Sequence, residues 1–388
     1  MIRSFSAHTS EIDDAALAVE EIKRRLDCDG KLMKNSVGIL VCFVDFIETG
    51  VVKALSEALP FDILGMTTIA SASPGQCGET ALCILVLTSD DTEFVPVLSG
   101  PVQGEDPSVL RRSYGEAVRG REGRPSLILG FFPMLFAAGV DFFVESMDEI
   151  TGGVPIFGSL AVDHNDDYHE SGIIIGGEAW HDRCAFLLFY GDGTPRFYTG
   201  NIPKDGIFPA EGTITASSGN LIQRVDGKLM IDYLVSLGLT RNEDGDIDGI
   251  NSFPIIVDCK DGTEPVLTTM MAITPEGYVV CGRKIPVGAT FAVGRYFPDG
   301  IIQAAASTLE NALDGGLCRT MLIFSCVDRY FSLLHDQYAE METVVSRMEN
   351  SGISFMMAYS GGEVCPVRKN SDELANRAHS NTFIVCVF

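Results

Sequence analysis

The chain has 388 residues, 46% hydrophobic and 21% charged, with 28 basic against 53 acidic side chains and a formal charge of −25. That length exceeds one ordinary core and predicts two domains of roughly 150–200 residues each. So acidic a surface repels phosphate backbones and anionic lipid headgroups, which excludes nucleic acid and membrane surfaces as partners.

Eleven cysteines are scattered, none in a C-x-x-C pair, and Cys42, Cys83 and Cys386 sit inside apolar runs. The pattern fits free thiols in a reducing cytoplasm and argues against a disulfide framework or a structural zinc. The N-terminal residues show no charged-then-apolar leader. The apolar run 126–140 contains Pro133 and falls short of the ~20 residues that a membrane span needs. A cytoplasmic protein is expected.

In chain order, residues 2–7 alternate as a strand, and Ser10 with Asp13 reads as a capping box opening a helix whose inner face holds Ile12, Val19, Ile22 and Leu26. Residues 37–44 form a continuous apolar strand of the kind buried on both faces. A helix with Val51, Val52, Leu55 and Leu59 inward follows. Next come a strand at 63–66 that breaks into Thr67 and Thr68, and strands at 81–87 and 94–98. The pattern restarts with a strand at 127–132 ended by Pro133, a helix (Val140, Phe143, Val144, Met147, Ile150), and strands at 154–158, 173–175 and 185–190. It recurs a third time with a strand at 321–324, a helix (Glu340, Met341, Val344, Val345, Met348), and strands at 353–359 and 382–388. Three strand–helix–strand–loop–strand units beginning near Leu40, Ile128 and Leu322 are expected, from internal duplication or from ordinary α/β alternation.

Residues 196–313 differ. They predict strands at 196–202, 212–216, 255–257, 266–273 and 278–280, a turn at Asp226-Gly227, a helix capped by Gly238, and an alanine-rich helix at 302–313. Pro203, Gly206, Pro209 and Gly212 cluster at a boundary, giving domains 1–210 and 211–388. The fold class is α/β, two domains with mixed β-sheets flanked by helices.

The C-terminal motifs carry a resemblance: Phe324-Ser325-Cys326-Val327-Asp328-Arg329, Tyr359-Ser360-Gly361-Gly362-Glu363 and His379-Ser380-Asn381-Thr382. In order and spacing they resemble those of the FIST family, with Pro155-Ile156-Phe157-Gly158 running to Asp163 as a weaker N-terminal counterpart. Asp328 stands where the family usually has Gly, Gly361 replaces a bulkier residue, and His164 follows Asp163 where a second acid is common. The resemblance implies a sensory module of bacterial signal transduction that binds a small ligand, with amino acids the favoured class. With no room for an output domain, it would stand alone or work through a partner protein.

Cys326, Asp328, Arg329, Glu363, His379 and Asn381 all fall at predicted strand ends, where open α/β sheets bind ligands. Arg329 offers the planar fork that recognises a carboxylate and Glu363 an acceptor for an ammonium group; the bland alternative is that the two simply pair. Cys326, His379 and Glu363 also have the residue types of a thiol nucleophile, base and orienter, so a cysteine-dependent hydrolase of a small amide or ester is the competing function. A ligand-free scaffold is a third. Gly158 and Asp163 bound a second expected ligand segment, where small residues let backbone amides approach a guest. The loop 163–169 holds two His and three Asp, the residue types of a metal site, but reads equally as a polar turn. Asp244, Asp246, Asp248 and Gly249 mimic an EF-hand opening, but position twelve is Ile255. Phosphate-loop and nucleophile-elbow motifs are absent, and neither a cofactor nor a metal is expected.

Overall fold

The computed structural model describes the chain apart from Met1, Phe136, Ala137, Asp166, Asp244, Asp372 and the Lys204 side chain. One arrangement of elements occurs three times. The first copy runs β1 (Arg3–Thr9), α1 (Ala15–Leu26), β2 (Asn35–Cys42), α2 (Asp45–Glu48), α3 (Val51–Ala58), β3 (Asp62–Thr67), a hairpin of β4 (Ser71–Ser73) and β5 (Gln76–Gly78), and β6 (Leu82–Ser89). The second runs β7 (Glu93–Leu98), α4 (Ser108–Ala117), β8 (Leu127–Phe132), α5 (Val140–Thr151), β9 (Ile156–Leu160), a hairpin of β10 (Ile173–Ile175) and β11 (Glu178–Trp180), and β12 (Ala185–Tyr190). The third opens with β13 (Arg196–Gly200) and is then interrupted. The insert comprises β14 (Ile207–Ser218), β15 (Leu221–Val225), β16 (Lys228–Leu229), α6 (Met230–Ser236), β17 (Ile255–Asp258), β18 (Val266–Thr268), β19 (Met270–Ile273), β20 (Val279–Cys281) and β21 (Thr290–Gly294). The third copy resumes with α7 (Pro298–Asp314), β22 (Thr320–Cys326), α8 (Val327–Ser332), α9 (Ala339–Met348) and β23 (Ser354–Ser360). It ends with a hairpin of β24 (Glu363–Arg368) and β25 (Leu374–His379), then β26 (Phe383–Val387).

Each copy centres on a parallel pair, β2–β3, β8–β9 or β22–β23, flanked by an antiparallel strand, β6, β12 or β26. The hairpins leave their own sheets. β4–β5 extends the third sheet beside β23, β10–β11 the first beside β3, and β24–β25 the second beside β9. The exchange is cyclic, so each six-stranded sheet is completed, and one of its edges occupied, by a neighbour.

This arrangement accounts for the unbroken apolar runs. The inner faces of the three sheets converge on one core, with Ile39, Val41, Leu129, Phe157, Leu322 and Phe324 among its members. Phe157 stacks on Phe324 at 5.5 Å, and Phe131 meets the same ring edge-on at 6.3 Å. The outer faces lie under α1 and α3, under α4 and α5, and under α7 and α9 respectively. Buried on both sides, these strands have no polar face to alternate with. The insert is an antiparallel sheet ordered β18-β17-β21-β14-β15-β20-β19, with β16 on β15. Its two end strands, β18 and β19, are separated in sequence by Thr269 alone, so the sheet curls back on itself around its own core. Asp226 (φ 50°) and Gly227 (φ 80°) form the tight turn joining β15 to β16, as their sequence predicts.

One local expectation is corrected. The helix after residue 10 is capped by Asp14, not Ser10: the Asp14 carboxylate accepts the N–H groups of Ala16 and Leu17, both at 3.0 Å, the reach a cap needs. Among the described residues no helix is long and apolar enough to cross a membrane.

Candidate functional site

The C-terminal ends of the three parallel pairs interlock. Thr68 Oγ1 donates to the Tyr359 carbonyl at 2.8 Å, Val162 N to that of Thr67 at 3.3 Å, and Leu160 N to that of Gly362 at 3.0 Å. Beside this end the insert touches the third copy, and a polar seam forms there from three segments. β22 stops at Cys326, where α8 begins and brings Asp328 round. The β25–β26 turn contributes Ser380 and Asn381, the latter left-handed at φ 61°. From the insert comes the β18–β19 link. Thr269 Oγ1 donates to Asp328 Oδ2 at 2.8 Å and accepts from Asn381 Nδ2 at 2.6 Å. Thr269 N donates to Ser380 Oγ at 2.8 Å, and the Cys326 thiol lies 3.7 Å from Asp328 Oδ2. Behind the seam Glu363 accepts from Ser360 Oγ at 2.6 Å and from Thr382 N at 3.4 Å. All of these residues are buried except Asp328, which is half-buried. Asn381 Oδ1 and His379 Nδ1 are buried with no hydrogen-bond partner among the described residues.

Arg329 lies behind the seam, its Nη1 donating to the Asn381 carbonyl at 3.5 Å. Its guanidinium is fully buried and committed to Glu340 of α9, with Nε 3.0 Å and Nη2 2.5 Å from Oε1. Nη2 also donates to the Ile301 carbonyl at 3.0 Å, and Ser325 Oγ holds the second Glu340 oxygen at 2.6 Å. The ion pair with Glu363 that the sequence allows is therefore replaced by one with Glu340. The signal was present: Glu340 falls on the apolar face of its predicted helix, where a lone acid requires a buried partner.

Burial dominates the seam's electrostatics. It pushes the Cys326 thiol well above its ordinary value, reinforced by Glu363 and Asp328. It also pushes Glu363 well above the carboxylate range, against the pull of Ser360 and Thr382, and raises Asp328. His379 is driven down to about 4 by burial, and its Nε2 faces the Cys365 carbonyl at 3.1 Å. A thiol held protonated beside a carboxylate, with the histidine turned to a backbone oxygen, lacks the activated pair that nucleophilic catalysis needs. For Glu363 the sign follows from linkage: the folded state favours the neutral acid, so its stabilising contribution is full below about 4.5 and is lost as pH rises toward the folded value. Compared with the native chain, Glu363→Gln should gain unfolding free energy as pH rises from 4 to 7, at up to about 1.4 kcal/mol per pH unit within that window. Denaturant melts at several pH values check this; a difference constant with pH would contradict it.

Comparison with known families decides the affiliation. The FIST N domain matches residues 36–228 and the FIST C domain residues 230–366. This chain belongs to the FIST family. FIST domains are sensory domains of signal-transduction proteins. No curated protein matches the sequence. Among solved structures the chain has a distant likeness to T. maritima PurL complexed with ATP, at 11% identity and a TM-score of 0.20, covering 100% of this chain and 71% of that one. A second, phosphoribosylformylglycinamidine synthase II from Thermotoga maritima, stands at 9% identity with the same score and coverage. Scores that low carry no argument about fold or function.

Within the FIST N match, Gly158 lies in the middle of β9 opposite Gly130, and on its other side faces Val364, next to Glu363. Asp163 is 1% exposed, and its two carboxylate oxygens accept Asn165 N at 2.6 Å and Glu170 N at 2.7 Å, stapling the loop before β10. Of the loop's histidines, His164 stacks on Phe43 at 4.9 Å and His169 meets Asp167 at 2.6 Å. Asp166 lies outside the described residues, as does Asp244 of the EF-hand-like stretch. No group of three or more His, Cys, Asp or Glu among the described residues is placed to hold a metal ion. Within the FIST C match, Thr269 joins the seam although no motif announced it. A threonine between two short strands carries no periodic signal.

Proposed function

We propose that this FIST protein is a small-molecule sensor of bacterial signal transduction, that its ligand is an amino acid or a close relative, and that it reports through a protein partner in the cytoplasm. The ligand is taken up at the seam, contacted by Asp328, Asn381, Cys326 and His379. Glu363 and Arg329 set the seam from behind, and Gly158 and Asp163 shape the neighbouring strand and loop. On this reading the chain divides near residue 210 into a half carrying two copies of the repeat and a half carrying the insert and the site.

One observation carries the proposal: a buried polar seam between separately cored parts of the fold, holding two side-chain atoms without hydrogen-bond partners among the described residues. Unpaired buried polar atoms cost about 1–3 kcal/mol each, and a ligand that pairs them is favoured accordingly. Because the seam joins two bodies, a ligand that binds one arrangement better shifts the population toward it. Thermal shift against a library of polar metabolites, amino acids included, tests this. One compound should raise the melting temperature in a concentration-dependent way, by about 2.7 kcal/mol of stabilisation at a hundred times its Kd. Asp328→Asn should abolish the shift. A library that moves neither chain would sink the proposal.

A further inference from the structure

A cleft of about 650 Å³ opens beside the seam, walled by Asp261, Arg283 and Lys284 of the insert, Asp141 and Glu145 of α5, and Arg377 of β25. The two are contiguous: Gly282 N donates to the Thr269 carbonyl at 3.0 Å, so Arg283 leaves the insert one residue from the seam.

Arg283 is 9% exposed. A guanidinium carries five N–H donors. Among the described contacts one is used, Nη1 reaching the Ala378 carbonyl at 3.3 Å on the rim of β25. Its Nε is buried with no hydrogen-bond partner among the described residues, and its ion pair with Asp141, Nε to Oδ1 at 4.0 Å, is too long for a hydrogen bond. Asp141 is itself occupied, its Oδ2 accepting Lys284 N at 2.6 Å, and burial holds its carboxyl above the usual range. The other cations of the cleft are committed, Arg377 to Asp261 at 2.5 Å and Lys284 to Glu145 at 2.9 Å. Among the described residues Arg283 is thus the buried cation of this cleft with donors to spare, and a buried guanidinium short of acceptors is costly until an anion completes it.

We infer that Arg283 is the carboxylate receptor of this protein and that the cleft takes a small zwitterion, its carboxylate on the Arg283 fork and its ammonium facing Glu145. A planar fork matches a carboxylate in two parallel hydrogen bonds. With three acids and three cations the lining carries no net charge, which complements a molecule carrying one charge of each sign better than a dianion such as phosphate. Glu145 sits at the mouth, its side chain 61% exposed, where an ammonium group can share it with Lys284. The inference rests on the sensory proposal and deepens it, extending the ligand's contacts from the seam into the adjoining cleft and making Arg283, rather than the Arg329 expected from sequence, the carboxylate contact.

Titration calorimetry with the twenty free L-amino acids, and with the carboxamide of any that binds, tests it. The expected result is an amino acid whose carboxamide does not bind and whose affinity falls roughly ten- to a hundredfold in Arg283→Gln, the loss of a charge-assisted contact. Arg283→Lys keeps the charge and the fold but not the fork, so it should fall between the two. Equal affinity in the native and Arg283→Lys chains, or equal binding of acid and carboxamide, overturns the assignment. So does a wild-type protein that binds an uncharged metabolite with Asp328 dependence but no amino acid, and that result keeps the sensory role of the seam while removing the amino acid as its ligand. A broad library without any binder sinks both.

Discussion

Arg329→Ala should cost roughly 3–5 kcal/mol of folding stability, because it leaves Glu340 as an uncompensated buried charge. Both side chains are 0% exposed, so the pair is not screened by bulk solvent as a surface pair would be. The loss should appear as a large drop in the urea midpoint with an unchanged slope. The double variant Arg329→Met/Glu340→Leu separates the pair's worth from the cost of breaking it, since apolar replacements of similar volume often recover most of such a loss. A residue that only clamped ligand would behave the other way, with stability intact and affinity gone. An Arg329→Ala chain as stable as the native one would contradict the buried pairing described above.

Gly158→Ala is expected to be nearly as damaging. A Cβ there would stand 1.9 Å from the Gly130 carbonyl oxygen, a backbone atom that cannot move without breaking the β8–β9 ladder. Overpacking costs typically about 1–3 kcal/mol, and a clash with backbone belongs at or above the top of that range. Gly361→Ala is the control: its Cβ would first meet Met134 Cε at 2.1 Å, the far end of a flexible side chain, so its penalty should be the smaller. Comparing soluble yield and melting temperature of the two variants checks the ranking. Equal stabilities would show that β9 yields more readily than its geometry implies.

The strands beginning near Leu40, Ile128 and Leu322 were legible because burial on both faces leaves a continuous apolar run that short polar loops interrupt. The helices between them were legible from their period. The candidate cluster was legible in part. Motifs at strand ends placed Cys326, Asp328, Glu363 and Asn381 at one end of the third sheet, and the fold brings Cys326, Asp328 and Asn381 within a hydrogen-bonded network. Arg329 was legible as important but not in its role, because a sequence names a cation without naming the acid it meets. Thr269, Asp141 and Arg283 were not legible at all. They lie 59, 187 and 45 positions from Asp328, counting 328 − 269, 328 − 141 and 328 − 283.

By itself, then, the sequence determined the central strands and the helices between them, the threefold recurrence of their order and the family motifs, since these depend on neighbours within one turn or one strand; α4, β21, the β24–β25 hairpin and the break at Thr269 were not read from it. Only the tertiary structure decided that each hairpin completes a neighbour's sheet, that Glu340 claims Arg329, and that Arg283 comes to rest beside Asp141. Those outcomes are set by which distant surfaces exclude water together, and a chain read one residue after another carries no direct record of that.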